Sequence, residues 1–168
     1  MEIKKLTEIC TPKQWKTLSM EQLQTSGFPV YGANGKIGFY SEYNHEEKTL
    51  MITCRGATCG SINISEPKSW INGNAMCLDN LREDVYITYL EHFLKNYDFS
   101  KIITGSAQPQ ITRESLSKVK IKLFSIETQK YIAATLDKVS KIITENKQLL
   151  EKYDLLIKSR FIEMFGDL

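Results

Sequence analysis

Three short segments concentrate residue types that can bind an anion or read a polar edge. They are Tyr31-Gly32-Ala33-Asn34-Gly35-Lys36-Ile37-Gly38, Cys54-Arg55-Gly56-Ala57-Thr58-Cys59-Gly60-Ser61 and Gly105-Ser106-Ala107-Gln108-Pro109-Gln110-Ile111-Thr112-Arg113. Each holds small residues that let backbone come close to a partner, plus one cation: Lys36, Arg55 or Arg113. None ends in the Gly-Lys-Ser/Thr of a phosphate-cradling P-loop. Gln108 and Gln110 straddle Pro109, and a carboxamide can bond bidentately to the N6/N7 edge of adenine, although the same pair also suits a polar surface turn. Residues 95–122 hold Lys95, Lys101, Arg113, Lys118, Lys120 and Lys122 against Asp98 and Glu114, a local excess of +4. That is the charge pattern of a phosphate-facing surface.

Catalytic and metal chemistry are poorly represented. Cys10, Cys54, Cys59 and Cys77 form no CxxC pair, and His45 and His92 stand far apart. Zinc sites of the finger or ribbon type depend on close ligand pairs, so no metal is expected and the cysteines read as reduced thiols. A Cys–His nucleophile pair could still form in space. Cys54 and Cys77 lie in apolar stretches, however, which raise a thiol's pKa. An enzyme is the less favoured class.

Positioning those loops requires a framework. Residues 12–24 are expected to be helical, with Pro12 in the first turn and Gly27 beyond the end. Phe28–Tyr31 and Ile37–Tyr40 read as strands around a tight Asn34-Gly35 turn, both residue types tolerating positive φ. Leu50–Cys54, Ser61–Ile64 and Ala75–Leu78 are further strands. Tyr86, Tyr89, Leu90, Phe93, Leu94 and Tyr97 follow helical spacing. Val119, Ile121 and Leu123 alternate with lysines, as in a half-exposed strand. The fold class is α+β.

After Ser125 no proline or glycine occurs until Gly166. A seam runs through Ile132, Leu136, Val139, Ile143, Asn146, Leu150, Tyr153, Ile157, Arg160 and Met164 in alternating steps of four and three, the coiled-coil rule. Ile142, Leu149 and Leu156 widen it. Asn146 is a polar seam position of the kind that fixes register. Such a rod, about 55–60 Å long, exceeds most 120-residue globules and calls for a partner helix. The expected division is a globule at 1–124 and a long helix at 125–168.

The chain has 168 residues, 42% hydrophobic and 25% charged, with a net charge of +2. This composition excludes general disorder, and nucleic-acid binding must rest on local patches. No apolar run reaches a membrane span and no secretory signal opens the sequence, so a cytoplasmic location is expected.

YGANGKIG, ITCRGATCGSI and ITGSAQPQITRESLSKVKI running into a long helix resemble the specificity subunit of type I restriction–modification systems. The resemblance covers essentially the whole chain, and GSAQPQIT ahead of a helix beginning near Glu127-Thr128-Gln129 is its most specific part. The family usually has two target-recognition domains, each followed by a long helix. Here there is one of each, as in a half-subunit, and Phe124-Ser125-Ile126 stands where the family usually has proline.

The resemblance implies a non-catalytic reader of one half of a split DNA target. Lys36, Arg55 and Arg113 would contact phosphate or guanine, Gln108 and Gln110 would read bases, and Asn34, Thr58, Ser106 and Lys118 complete the candidate DNA-contact set. The long helix would pair antiparallel with another such helix, in a homodimer or with a different half-subunit. Methyltransferase subunits carrying S-adenosylmethionine would bind alongside, a restriction subunit would join for cleavage, and this chain would hold no cofactor itself. Two alternatives are a DNA-modifying enzyme fragment and a helical adaptor without DNA recognition. The first would need a glycine loop with an Asn-Pro-Pro-Tyr-type motif or paired carboxylates with a lysine, and neither is present.

Overall fold

A computed structural model describes residues 1–105 and 108–166. The strands are β1 (Glu2–Lys5), β2 (Thr11–Lys13), β3 (Phe28–Gly32), β4 (Gly35–Tyr40), β5 (Leu50–Thr53), β6 (Ile62–Ile64), β7 (Trp70–Ile71), β8 (Ala75–Asp79) and β9 (Lys120–Leu123). The helices are α1 (Leu6–Ile9), α2 (Ile87–Lys95), α3 (Arg113–Leu116) and α4 (Ile126–Phe165). The chain divides into two compact units, Met1–Lys130 and Tyr131–Leu168. Mixed strands and helices ahead of one long helix make the fold α+β.

Among the described residues the strands form three sheets: β1-β9, β2-β8-β5-β6 and β4-β3-β7. Leu50, Met51 and Ile52 of β5 are almost fully buried, because β5 lies between β8 and β6 and is covered on both faces. A near-continuous apolar run is what such a strand requires. In the β1-β9 ribbon, Ile121 and Leu123 face inward while Lys120 and Lys122 face out. Burying each large apolar side chain of this core contributes about 1.5–3 kcal/mol.

Residues 12–24 do not form the expected helix. Thr11–Lys13 pair with β8 instead, Thr11 opposite Asp79 and Lys13 opposite Cys77. Pro12 is tolerated there because β2 is an edge strand, where a missing N–H leaves no gap in the sheet. Farther on, the Leu18 N–H donates to Asn72 Oδ1 at 2.9 Å, and only Met20–Gln22 form a short 3-10 turn. The β3–β4 hairpin also differs in detail. Its two-residue tip is Ala33-Asn34, and the positive φ (+111°) falls on Gly35 while Asn34 keeps an ordinary φ. Ile37 is the extra residue of a bulge opposite Val30/Tyr31.

The start of α4 is anchored by one side chain. Gln129 is fully buried. Its Oε1 accepts from the Tyr86 N–H at 2.9 Å, and its Nε2 donates to the carbonyls of Asp84 (2.8 Å) and Phe124 (2.9 Å). Ser125 caps the helix by accepting from the Thr128 N–H. The Glu127 carboxyl, bonded by its own backbone N–H and the Ser125 hydroxyl, is held below the usual carboxylate range. These contacts fix the helix start without the proline the resemblance led one to expect. Gln129→Leu strips three part-buried backbone groups of partners, at up to about 1–3 kcal/mol each when unrelieved. We expect a loss of about 2–4 kcal/mol in chemical denaturation; an unchanged midpoint would refute the anchor.

The helix α4 has 40 residues and measures about 60 Å. Along the expected seam Ile132 is half-buried, whereas Leu136, Val139, Ile143, Asn146, Leu150, Tyr153 and Ile157 are exposed. Ile143 is 50%, Leu150 64% and Ile157 66% accessible. Among the described residues no helix is long and apolar enough to cross a membrane.

Candidate nucleic-acid interface

The structure brings together the three loops singled out by composition. Ala33 at the hairpin tip accepts through its carbonyl from the Thr53 hydroxyl and from Asn63 Nδ2. Asn34 Oδ1 accepts from the Thr58 hydroxyl at 2.5 Å, so the tip and the 54–61 loop are joined side chain to side chain. The 54–61 loop is joined in turn to the third. Gly56 N–H donates to the Pro109 carbonyl at 3.2 Å and Ile111 N–H to the Cys54 carbonyl at 3.0 Å. Gly56 adopts φ +87°, which favours glycine.

Gln110 is held at its backbone by two mutual bonds with Thr104 (2.9 and 3.0 Å) and bridges to Arg55. Gly105 is equally constrained. A Cβ there would meet the Gln108 carbonyl oxygen at 2.5 Å. Backbone bonds thus hold Pro109, Gln110 and Ile111, while the side chains of Gln108 and Gln110 are exposed. Ser106 lies outside the described residues.

A depression of about 390 Å³ opens where the 54–61 loop and the 105–113 loop meet β2. Lys13, Gln14, Arg55, Gln110, Thr112 and Arg113 line it, and among the described residues no acid does. Thr112 caps α3 by accepting from the Ser115 N–H, which fixes Arg113 at the helix start. Three cations around uncharged donors and acceptors suit a phosphate and an adjoining base edge.

Lys13 and Gln14 were missed from sequence because they fall within the stretch expected to be helical. Lys13 Nζ sits 3.7 Å from the centre of the Trp15 ring, which orients the ammonium. Gln14 Nε2 donates to the Gly73 carbonyl at 2.7 Å. Lys36, by contrast, lies 3.6 Å from Glu66 and over the Phe39 ring, so its charge is partly answered within the fold. Lys118 is exposed in the turn between α3 and β9.

A second, larger depression of about 610 Å³ has Asp79, Glu46 and Glu47 on its walls and is less suited to an anion. His45 Nε2 lies 3.1 Å from Asp79 Oδ1, and Trp15 Nε1 donates to Asp79 Oδ2 at 3.0 Å. His45, Cys77 and Asp79 bring potential ligand atoms within 4.8 Å of one another, a grouping the sequence spacing did not reveal. Both Asp79 oxygens are already engaged. Burial, then the Asp79 charge, pushes the Cys77 thiol well up, away from the thiolate that binds metals.

The other cysteines are similarly inert. Burial, reinforced by Asp79, pushes Cys10 up to about 12. Burial also raises Cys54, against a lowering by Arg55, and it raises half-buried Cys59. All four thiols are thus held above their ordinary range.

A cation-lined loop surface on an α+β globule, followed by one long helix, is a recognition architecture. The chain belongs to the type I restriction modification DNA specificity domain family, whose model matches residues 1–152. It is 31% identical over 111 residues to the type I restriction enzyme EcoprrI specificity subunit of Escherichia coli, covering 66% of this chain and 27% of that protein. Its fold is similar to the S subunit of the M. genitalium type I restriction–modification system (TM-score 0.66, 16% identity, 97% of this chain and 48% of that one). It is also similar to a chain solved in work on the complex assembly and conformational transition of the type I system (TM-score 0.76, 18% identity, 94% and 43%). The chain spans about a quarter to a half of the length of these proteins.

Proposed function

We propose that the unit Met1–Lys130 reads one half of a bipartite DNA target and that α4 joins it to a second reader. The observation that carries this reading is the convergence of Lys13, Arg55 and Arg113 with Gln14 and Gln110 on one depression free of acids among the described residues, in a chain of this family. Arg55, Arg113 and Lys118 supply phosphate or guanine contacts, and Lys13 joins them. Gln108 and Gln110 read base edges. Asn34 and Thr58, bonded to each other, brace the hairpin tip against the reading loops. The chain is non-catalytic in this reading, and methyltransferase subunits supply adenine methylation with S-adenosylmethionine. A restriction subunit completes the cleaving complex.

Gln108→Ala or Gln110→Ala should relax sequence preference, a bidentate base contact being worth about 1–3 kcal/mol of discrimination. Lys118→Ala should instead weaken binding to every duplex alike and lower the salt slope by about one. Titrations over a panel of duplexes, with and without a methyltransferase partner, separate the two effects. Identical behaviour of the glutamine and lysine variants would defeat the division of roles. Absence of salt-dependent binding in both settings would defeat the DNA-reading function in favour of a protein adaptor.

A further inference from the structure

The β1-β9 ribbon presents an outward face that the fold does not explain. Its register sets Lys5 opposite Lys120 and Ile3 opposite Lys122. Cross-strand partners share a face, so Lys5, Lys120 and Lys122 project together on the side away from buried Ile121 and Leu123. All three lysines are exposed, and Ile3 among them is 57% accessible. Like charges directly opposite each other destabilise a strand pair. Among the described residues no acid lies within ion-pair distance of any of the three. Glu2, three residues from Lys5, pairs with Lys4, on the other face. The Glu8 carboxylate accepts from the Lys5 backbone N–H rather than from its ammonium.

We propose that this ribbon is a second DNA contact, a phosphate track beside the reading loops; it rests on the DNA-reading function proposed above. The occupant is the backbone of the duplex outside the bases that are read. Three arguments select it. The ribbon's outward face carries three lysines and Ile3 and, among the described residues, no acid, which matches a polyanion. Same-face residues two apart on a strand lie about 6.8 Å apart, comparable to the through-space separation of neighbouring phosphates on one strand, so Lys120 and Lys122 match adjacent phosphates. The ribbon is also continuous with the reading surface. β1 leads into α1, α3 leads towards β9, α1 and α3 pack together, and α3 packs on β2, the strand that carries Lys13. Phosphate contacts carry no sequence information but fix register and orientation on the duplex.

The test is the triple variant Lys5→Gln, Lys120→Gln and Lys122→Gln of the full chain, titrated against mixed-sequence duplex DNA over a range of salt. Three lost contacts should make the slope of log K against log salt shallower by about 2.7, and each single variant by about 0.9. Ratios between preferred and random sequence should stay as in the unmodified protein. The thermal midpoint should hold or rise, since the substitutions relieve like-charge opposition.

An unchanged slope in a protein that otherwise binds duplex overturns the ribbon and leaves the reading function standing. An unchanged slope with lost binding to an acidic protein partner overturns it in favour of a protein-docking face. A lowered midpoint with unchanged slope overturns it as well, because the lysines would then serve the fold. Failure of the unmodified protein to bind any duplex removes both proposals together.

Discussion

Ile143→Asp combined with Leu150→Asp should convert a dimeric protein to a monomer. Both side chains sit on the seam of α4, and both are at least half exposed in the single chain. A row of apolar side chains repeating by four and three needs a facing helix to cover it. In the proposed assembly a second copy in antiparallel two-fold arrangement would supply that helix. In such an isologous seam each substitution occurs twice. An uncompensated buried charge costs about 3–5 kcal/mol, so the pair of sites should weaken association by more than roughly 10⁴-fold. Sedimentation velocity measures this directly. Trp15 and Trp70, the chain's two tryptophans, both lie in Met1–Lys130, so their fluorescence reports whether the globule stays folded. A monomeric unmodified protein at micromolar concentration, or a double variant that stays dimeric, would defeat this assembly.

Much of the framework was legible in the sequence, for reasons that differ between elements. β5, β6, β8 and α2 announced themselves by apolar pattern, because each covers a face whose period the residues must follow, and α4 by its four-and-three repeat and its lack of proline and glycine. β1 and β7 did not. Glu2–Lys5 has one apolar residue, and its pairing is fixed by β9 far away in the chain. Trp70–Ile71 is only two residues long and pairs in parallel with β3. β2 was masked by Pro12, which suits a helix start and an edge strand equally, and only its place beside β8 decides between them.

The candidate site was legible as composition, not as geometry. Glycines and small residues marked the three loops, yet the second and third are joined by backbone bonds, Gly56 to Pro109 and Ile111 to Cys54, with no signature in residue type, and the Asn34–Thr58 bond that joins the first to the second spans 24 residues. The same applies to Lys13 and Gln14. An isolated Lys-Gln pair carries no signal until β2 places it next to Arg55 and Arg113. His45 and Asp79 likewise meet only through the fold.

The second large effect joins the two units. A two-fold dimer presents the same loops twice in inverted orientation, so its DNA must carry inverted half-sites. The distance between half-sites should then follow the length of the rod. Removing Lys138 to Glu151 takes out two heptads, about 21 Å at about 1.5 Å per residue, or about six base pairs at about 3.4 Å each. The deletion keeps the seam in register, because Leu136 is then followed by Tyr153 at the three-residue step that Val139 occupied. It spares Ser125, Gln129 and every loop residue, so the bases read in each half-site should be unchanged while the spacer contracts. Mapping of methylated adenines in cells carrying the full-length or the shortened protein reads both quantities at once, provided the shortened dimer still holds its methyltransferases. The expected result is the same palindromic pair of half-sites, closer together by about half a helical turn of DNA. A single continuous, asymmetric motif for the homodimer, or a spacer that ignores the deletion, would remove the helix from its role as a ruler.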